Sequence, residues 1–256
     1  MTNDATHLVL IPSYNSGPRL LATVREALAR WRPVWIVVDG STDGSHAAVE
    51  ALAQEEPGLR VIVRPRNGGK GAAVLTGAAA AQAAGYTHAL VLDSDGQHPT
   101  DRIGEFMAAS RAAPTALVLG RPVFGPEAPL VRLQGRRLSV GLVRFEIFGA
   151  GIDDPLFGFR VYPLAPLVRV LRATRFARHY DFDAEAAVRL FWAGTPTLNR
   201  PAPCRYLTPA EGGVSHFHYV RDNVRMVWLH TRLITELLLW RWPAVLRRRR
   251  NASTTS

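Results

Sequence analysis

The sequence has a single cysteine and lacks any pair of long hydrophobic segments. One cysteine, Cys204, excludes an internal disulfide and a zinc site made of cysteines alone. The first residues lack a basic stretch followed by an apolar one, so we expect no export signal. The 256 residues, 47% of them hydrophobic, are nevertheless enough to form the core of one domain with a carboxyl-terminal appendage.

Acidic residues are also too few to offset the basic ones, and the formal net charge is +10. Such a charge suits nucleic acid, anionic lipid or a phosphorylated substrate. Much of the excess lies beside an apolar segment near the carboxyl terminus, at Arg225, Arg232, Arg241 and Arg247 to Arg250. No base-stacking aromatic motif accompanies these residues, so we predict an anionic membrane surface as a partner and no nucleic acid.

Short apolar runs rich in β-branched residues alternate with longer, alanine-rich segments through the first half of the chain. This alternation is typical of βα units around a mainly parallel sheet, and it predicts an α/β fold. The predicted strands are Leu8 to Ile11, Val34 to Val38, Arg60 to Val63, Ala89 to Leu92 and Ala116 to Leu119. The predicted helices are Pro18 to Arg30, Asp43 to Gln54, Gly71 to Ala84 and Pro99 to Ala112. In the less regular second half, helices are predicted over Leu130 to Phe148 and Asp181 to Trp192, and a strand over Gly158 to Tyr162.

Polar loops follow the predicted strands, with the sequences PSYNSG, DGSTDGS, RPRNGGKG and DSDGQHP. In an open α/β sheet, ligands bind beyond the carboxyl ends of the strands. We therefore expect these four chemically rich loops to share one edge of the sheet and to form the functional site there.

Two carboxylates, Asp93 and Asp95, follow the apolar strand HALVLD and flank Ser94. Carboxylate oxygens are preferred ligands of Mg²⁺ and Mn²⁺, which keep positions for water and for substrate phosphates. Gln97 could supply a further oxygen. An isolated D-x-D pair more often caps the following helix, which here begins near Pro99. The neighbouring loops favour the metal site in this chain.

Three residues in the first two loops suit a nucleoside. Asp39 ends the strand VWIVVD and can accept hydrogen bonds from a base or ribose, while Pro12 and Tyr14 could wall the base. The loop that ends at Lys70 is not a Walker A loop, because Arg64 stands where glycine is needed and no serine or threonine follows the lysine. Lys70 at a helix start remains a candidate for a phosphate contact.

The ordered motifs IPSYNSG, VVDGSTDG, NGGKGAA and LDSDGQHP resemble those of family 2 glycosyltransferases, which have the GT-A fold. The nearest likeness is to dolichyl-phosphate and polyprenyl-phosphate sugar transferases, and a weaker one is to members of aryl polyene pigment pathways. The likeness extends through Gly158-Phe159-Arg160, Phe182-Asp183-Ala184-Glu185 and Gly213-Val214-Ser215-His216. It implies an inverting transfer of a sugar from a UDP- or GDP-linked donor to a lipid-linked acceptor, assisted by Mg²⁺ or Mn²⁺.

The resemblance also implies roles for individual residues. Pro12, Tyr14, Asp39 and Lys70 would bind the donor nucleotide; Asp93, Asp95 and Gln97 would bind the metal, with Asp93 also meeting the nucleotide. Asp93, Asp95 and Asp154 become the catalytic candidates, and Arg121, Arg136 and Arg160 become candidates for the acceptor phosphate. Three positions depart from the family pattern and weaken the substrate assignment: Ser16 where glutamate is usual, Val38 where aspartate is frequent, and Phe157 where a small polar residue is usual.

The acceptor decides whether the reaction needs a general base. A lipid phosphate is already anionic, whereas a hydroxyl acceptor must lose a proton during the attack. The base candidates are Asp153, Asp154, His179 and Glu185. Alternatively, Asp154 orders the turn before Gly158 and Glu185 pairs with a buried arginine. His98 and His216 are predicted to be structural.

The motifs predict a catalytic domain over residues 1–217, an amphipathic segment over 218–246 and a basic disordered tail over 247–256. From Tyr219 to Trp242, charged residues interrupt the apolar ones, and Arg225, Arg232 and Glu236 share one side of a helical projection. We expect this helix to lie on the inner face of the cell membrane; the alternative is a helix packed on the enzyme's own core. Two other functions stay open, a sugar-nucleotide nucleotidyltransferase and a catalytically inactive membrane-binding module.

Overall fold

A computed structural model describes residues 3–125, 130–149, 151–176, 178–179, 181–204 and 219–246. For residues 130–133 and 219–223, at the start of two helices, only the backbone is described. Seven strands form one sheet in the order β3-β2-β1-β4-β6-β5-β7. They are β1 (His7–Ser13), β2 (Val34–Asp39), β3 (Leu59–Arg64), β4 (His88–Val91), β5 (Leu117–Phe124), β6 (Arg160–Pro163) and β7 (Thr197–Cys204). β6 is antiparallel to both its neighbours, and the other pairs are parallel.

The helices connect these strands in the manner expected of βα units. They are α1 (Arg19–Leu28), α2 (His46–Glu55), α3 (Lys70–Ala83), α4 (Ile103–Ala112), α5 (Leu130–Glu146), α6 (Leu164–Ala173), α7 (Phe182–Trp192) and α8 (Tyr219–Glu236). A 3₁₀ turn over Thr100–Arg102 leads into α4, and a π-helical turn over Leu237–Arg241 continues α8. The strands and helices predicted from the sequence are all present, with ends shifted by a few residues.

Hydrophobic side chains pack on both faces of the sheet. In β1, Leu8 and Leu10 point to the cluster that includes α3, α6, α7 and α8, whereas Val9 and Ile11 point to the cluster that includes α1 and α4. A sheet that is covered on both faces needs apolar residues at successive strand positions, which explains the uninterrupted apolar runs. The mainly parallel sheet between helices confirms the predicted α/β, GT-A type architecture.

Two elements, β7 and α6, go beyond the prediction. β7 contains Pro201 and Pro203 and forms the edge of the sheet beside β5. A proline has no N–H to donate to a neighbouring strand, so strands with several prolines occur at edges and are hard to predict. α6 buries Leu164, Leu167 and Leu171 on one face and follows β6 directly.

Helix α8 packs on the domain instead of standing apart from it. Leu229, Leu233 and Leu237 are buried in the core. Arg232 Nη2 lies 2.8 Å from Glu185 Oε2, and Glu236 Oε2 lies 2.9 Å from Arg189 Nη2. The charged side of the helix is therefore not solvated at Arg232 and Glu236, because both residues pair with α7. No helix in the described ranges is long and apolar enough to cross a membrane.

Several sequence features fall outside the described residues. They include the motif Gly213-Val214-Ser215-His216 and the basic tail that begins at Arg247.

Candidate active site

The carboxyl ends of β1, β2 and β4 lie at one edge of the sheet, because these strands are parallel neighbours. Asp39 is the last residue of β2 and stands opposite Arg64 of β3 in the strand register. Asp93 follows the end of β4 by two residues. The polar loops therefore meet at one edge, as predicted from the strand pattern.

His98 orients Asp93. The backbone N–H of Asp93 donates to His98 Nδ1 over 2.9 Å, and His98 Nε2 lies 3.7 Å from Asp93 Oδ2. Burial lowers the pKa of His98 to about 4, so the imidazole is neutral at pH 7. Since Nδ1 accepts a hydrogen bond, the proton is on Nε2 and points toward Asp93. His98 thus has the structural role that the sequence predicts.

Asp95 lies in a less favourable environment for a charge. Its Oδ1 accepts the backbone N–H of Gln97 over 2.9 Å. Burial, and then repulsion by Asp93, raise the pKa of Asp95 to about 6. A cation bound between the two carboxylates would relieve this repulsion. The side-chain amide of Gln97 as a further ligand stays a prediction.

Lys70 provides the positive charge of the site. Its Nζ lies 2.7 Å from Asp93 Oδ1 and 2.7 Å from Asp183 Oδ2. Burial opposes the charged ammonium, but Asp183 and then Asp93 outweigh it and raise the pKa of Lys70. On Asp93, burial opposes the charged carboxylate, and Lys70 outweighs it and lowers the pKa. Lys70 is therefore an ammonium held between two carboxylates.

Asp183 is a site residue that the predictions missed. It is buried in the first turn of α7, where a carboxylate interacts favourably with the helix dipole. Among the residues that the structure describes, its buried Oδ1 has no hydrogen-bond partner. The only signal in the sequence was its place in the motif Phe182-Asp183-Ala184-Glu185, which the family resemblance includes. Nothing in the local pattern distinguishes it from an ordinary first-turn acid.

Asp39 holds the loop that leads to Lys70. It is buried and forms an ion pair with Arg64, and it accepts the N–H groups of Gly68 over 3.1 Å and Gly69 over 2.7 Å. Gly69 has a φ of +87°, and a Cβ there would collide with the Arg178 carbonyl. A direct contact between Asp39 and a nucleoside stays a prediction.

The other nucleoside candidates line the end of β1. Pro12 is buried within the strand, and Tyr14 beside it is 38% exposed. Ser16 Oγ lies 2.6 Å from the hydroxyl of Ser94, between the two metal-site aspartates, and 2.9 Å from that of Ser13. The serine that replaces the usual glutamate therefore joins the first loop to the aspartate loop. Base contacts of Pro12 and Tyr14 stay predictions.

Two other departures from the family pattern have structural explanations. Val38 is buried in the core of β2, where an aspartate would lose its hydration. Phe157 is also buried, and its ring packs edge-on against His98 with centroids 4.8 Å apart. Both positions thus stabilise the site through apolar packing.

Asp154 orders the turn before Gly158. Its Oδ1 accepts the N–H groups of Leu156 over 2.8 Å and Phe157 over 2.9 Å, and its carboxylate forms an ion pair with Arg136. Asp154 therefore orders this turn, as the structural alternative from the sequence predicted. Its role as a general base, and that of Arg136 as an acceptor contact, stay predictions.

The remaining phosphate candidates differ in accessibility. Arg160 has no exposed surface, and it donates to the carbonyl groups of Phe157, Pro155 and Asp183. This corrects the expectation that Arg160 contacts an acceptor, because its donors stabilise the surrounding backbone instead. Arg121 is exposed and lies 4.0 Å from Asp153.

Within the described ranges, no group of three or more histidine, cysteine, aspartate or glutamate side chains is arranged to hold a metal ion. Asp93 and Asp95 are nevertheless suitable ligands for a hard cation, because burial and then the neighbouring Asp93 disfavour the charged form of Asp95 and raise its pKa, and a bound cation would offset both effects. A cation held by two carboxylates needs further oxygens, which the phosphates of a bound nucleotide can supply.

Comparison with known proteins agrees with this geometry. The family model described as glycosyl transferase family 2 matches residues 8–167. The chain is 28% identical over 215 residues to polyprenol monophosphomannose synthase of Mycolicibacterium smegmatis, covering 81% of this chain and 79% of that protein. It is 26% identical over 204 residues to a dolichyl-phosphate beta-glucosyltransferase of Trichomonas vaginalis, covering 70% of this chain and 58% of that protein.

A solved structure shares the fold. Glucosyl-3-phosphoglycerate synthase from Mycobacterium tuberculosis, crystallised with Mn²⁺, uridine diphosphate and glucosyl-3-phosphoglycerate, aligns with a TM-score of 0.63 at 18% identity. The alignment covers 91% of this chain and 79% of that chain. At this identity, the likeness concerns the arrangement of helices and strands.

Proposed function

Because the chain belongs to glycosyl transferase family 2, we propose that it transfers a sugar from a UDP- or GDP-linked donor to a lipid-linked acceptor, with a divalent cation at Asp93 and Asp95. The observation that carries the proposal is the cluster of Asp93, Asp95 and Lys70 at the carboxyl edge of a parallel sheet. The names of the relatives of known activity support polyprenyl or dolichyl phosphate as the acceptor class.

The chemistry follows from these charges. Mg²⁺ or Mn²⁺ at Asp93 and Asp95, when bound, would stabilise the negative charge that develops on the departing nucleoside diphosphate. The ammonium of Lys70 lies against Asp93 at the same place, and His98 holds the backbone of Asp93 through a hydrogen bond. Preorganised charges of this kind lower the barrier because they need no rearrangement during the reaction. Attack from the opposite side of the sugar would invert the anomeric carbon.

The ion pairs at two of the four base candidates support an acceptor that is already ionised. Asp154 pairs with Arg136, and Glu185 pairs with Arg189 and Arg232. The oxygens of these two carboxylates are thus engaged by guanidinium groups and are poorly placed to take a proton from an acceptor hydroxyl. A polyprenyl phosphate needs no strong base, whereas a lipid hydroxyl does. We therefore favour the phosphate acceptor.

A transfer assay tests the proposal. Purified chain with Mn²⁺ would be given UDP- or GDP-sugars, and either polyprenyl phosphate or polyprenol as the acceptor. We expect a glycosyl lipid and a free nucleoside diphosphate, and no product with Asp95→Asn; Asp101→Asn, an exposed aspartate after the same loop, is the matched control. Release of pyrophosphate would instead identify a nucleotidyltransferase, and failure to bind any nucleotide with Mn²⁺ would favour the inactive binding module.

The outer face of α8 and the following turn is the proposed membrane contact. Its exposed apolar residues include Val224, Val227, Trp228, Leu238, Leu239, Trp240 and Trp242. A cavity of about 520 Å³ on this face is lined by both tryptophan and arginine, including Trp228, Trp240 and Arg241. Tryptophan favours the headgroup boundary, and arginine favours an anionic leaflet. These features support a peripheral position on the inner face of the cell membrane.

Vesicle sedimentation tests this contact. We expect the double variant Trp228→Gln, Trp240→Gln to bind vesicles containing phosphatidylglycerol about tenfold more weakly than the unaltered chain at equal salt. Leu138→Gln is the matched control, since Leu138 is an equally exposed apolar residue on α5. Unchanged binding by the double variant would exclude this face as the membrane contact.

A further inference from the structure

Lys70 is the single lysine of the sequence, and every other residue in the lysine-plus-arginine count is arginine. A lysine ammonium is a compact point charge on a flexible chain, whereas an arginine guanidinium is a broad planar fork. The space around Lys70 Nζ explains why the compact group is used: a Cβ on Gly158 would lie only 2.5 Å from the nitrogen. The glycine therefore leaves room for the ammonium between Asp93 and Asp183.

Two carboxylates share the ammonium of Lys70. Its Nζ pairs with Asp93 and with Asp183, whereas Asp95 acts on it only at longer range, and the buried guanidinium of Arg160 is a second positive charge near Asp93 and Asp183. Asp183 Oδ1 is buried and has no hydrogen-bond partner within the described ranges. A Cβ on Gly158 would lie 3.3 Å from this oxygen and 3.3 Å from Asp93 Oδ2. The ammonium of Lys70 thus forms one ion pair with Asp93 and a second with the buried Asp183. Of the two carboxylates, Asp183 is the more buried, with 9% of its side chain exposed against 32% for Asp93.

We infer that Lys70 is a movable internal cation, which neutralises Asp93 in the donor-free enzyme and moves to the donor diphosphate when a divalent cation binds Asp93. Asp183 tethers Lys70 during this exchange and is a positioning residue. The inference rests on the proposed function, because it requires both a metal and a diphosphate at this edge of the sheet.

The exchange has a thermodynamic consequence. A metal ion that binds alone must separate Lys70 from Asp93 and leave the ammonium with one carboxylate. When a nucleoside diphosphate binds together with the metal, its phosphate oxygens replace the lost partner of Lys70. Metal and nucleotide should therefore bind with positive coupling, which linkage requires to be the same from either side. Lys70 is the group that changes its partner, whereas Asp183 keeps its contact with Lys70, so substitutions of the two residues should change this coupling in different ways.

Nuclear magnetic resonance can observe Lys70 directly, because ¹³C-lysine enrichment labels only this side chain. Mg²⁺, UDP and GDP would be added singly and then Mg²⁺ with each nucleotide, to the unaltered full chain. We expect the Cε signal to move most when Mg²⁺ and a nucleoside diphosphate are present together, to move less at the same concentration of Mg²⁺ alone because the metal then binds more weakly, and to stay unchanged with nucleotide alone. An unchanged signal, with calorimetry showing that both ligands bind, would overturn the inference and leave the proposed function intact. Absence of nucleotide binding would overturn both.

A second measurement gives the affinity for Mn²⁺ alone, from the electron paramagnetic resonance signal of the free ion. We expect Lys70→Gln to bind Mn²⁺ about tenfold more tightly and Asp183→Asn about tenfold more weakly, since one removes a competing cation and the other removes a negative charge. Thermal unfolding would establish that both variants are folded. Equal or weaker Mn²⁺ binding by folded Lys70→Gln would overturn the inference; if that variant does not fold, the lysine signal of the unaltered chain decides.

Discussion

The guanidinium of Arg136 on α5 forms a two-point ion pair with Asp154, with 3.0 Å between Arg136 Nη2 and Asp154 Oδ1. Asp154 also accepts two backbone N–H groups in the turn before Gly158. The pair thus joins α5 to the loop that leads into β6. Because of these contacts, a structural role for Asp154 predicts a loss of stability on substitution, whereas a catalytic role predicts a loss of turnover.

We predict that Asp154→Asn lowers the free energy of unfolding by about 2 kcal/mol, because it leaves the partly buried Arg136 without its partner. The turnover of the folded fraction should fall less than tenfold. Urea unfolding and initial rates at low temperature measure both effects. Asp101→Asn, at an exposed position outside the set of base candidates, is the control. A hundredfold loss of turnover with unchanged stability would instead identify Asp154 as the general base.

Asp95→Asn should stabilise the metal-free chain at neutral pH. The pKa of Asp95 is raised from 3.8 to about 6 in the folded state, so the folded chain binds this proton more tightly than the unfolded chain does. The native carboxylate therefore destabilises the fold increasingly as the pH rises from about 4 to about 6, and the amide removes the penalty.

Because Asp95 is partly exposed, we expect Asp95→Asn to raise the free energy of unfolding by about 1–2 kcal/mol at pH 7.5 and to leave it unchanged at pH 4. Urea unfolding at the two pH values, without metal, measures the difference. The same gain at both pH values would show that the effect does not come from the ionisation of Asp95.

Asp39→Ala should weaken nucleotide binding more than it weakens Mn²⁺ binding, by at least about tenfold if the carboxylate contacts the nucleoside. Arg64→Ala is the matched control, because it removes the ion pair but leaves Asp39 able to accept the N–H groups of Gly68 and Gly69. Calorimetry with UDP and GDP measures both. Equal losses of nucleotide affinity in the two variants would mean that Asp39 only stabilises the loop and does not contact the nucleoside.

Glu185→Gln should loosen α8. Glu185 is fully buried and accepts hydrogen bonds from Arg189 on its own helix and from Arg232 on α8. Loss of its charge leaves both arginines poorly compensated, which we expect to cost about 3 kcal/mol. Hydrogen exchange should become faster in residues 219–236 and stay unchanged in β1. Glu236→Gln, at the more exposed partner of Arg189, should have a smaller effect.

Local pattern was sufficient to predict the sheet edge and its acidic pair. β1, β2 and β4 are apolar runs followed directly by polar loops, so Asp39, Asp93 and Asp95 could be placed at strand ends without coordinates. The connectivity of βα units then brings these ends together, because parallel neighbours finish at the same edge. Helix α7 and strand β6 were likewise evident from their apolar residues.

Only the tertiary structure decided which charges are paired. Lys70 and Asp183 are separated by 113 positions, and the chain pattern around each allows many partners. Arg160 likewise looks like a surface arginine in its sequence context, yet it is fully buried among backbone carbonyl groups. The faces of α8 were ambiguous for the same reason, since Arg232 and Glu236 are solvated or buried according to what packs against them. Periodicity is a local property of the chain, whereas the state of a charge depends on neighbours that only folding brings near.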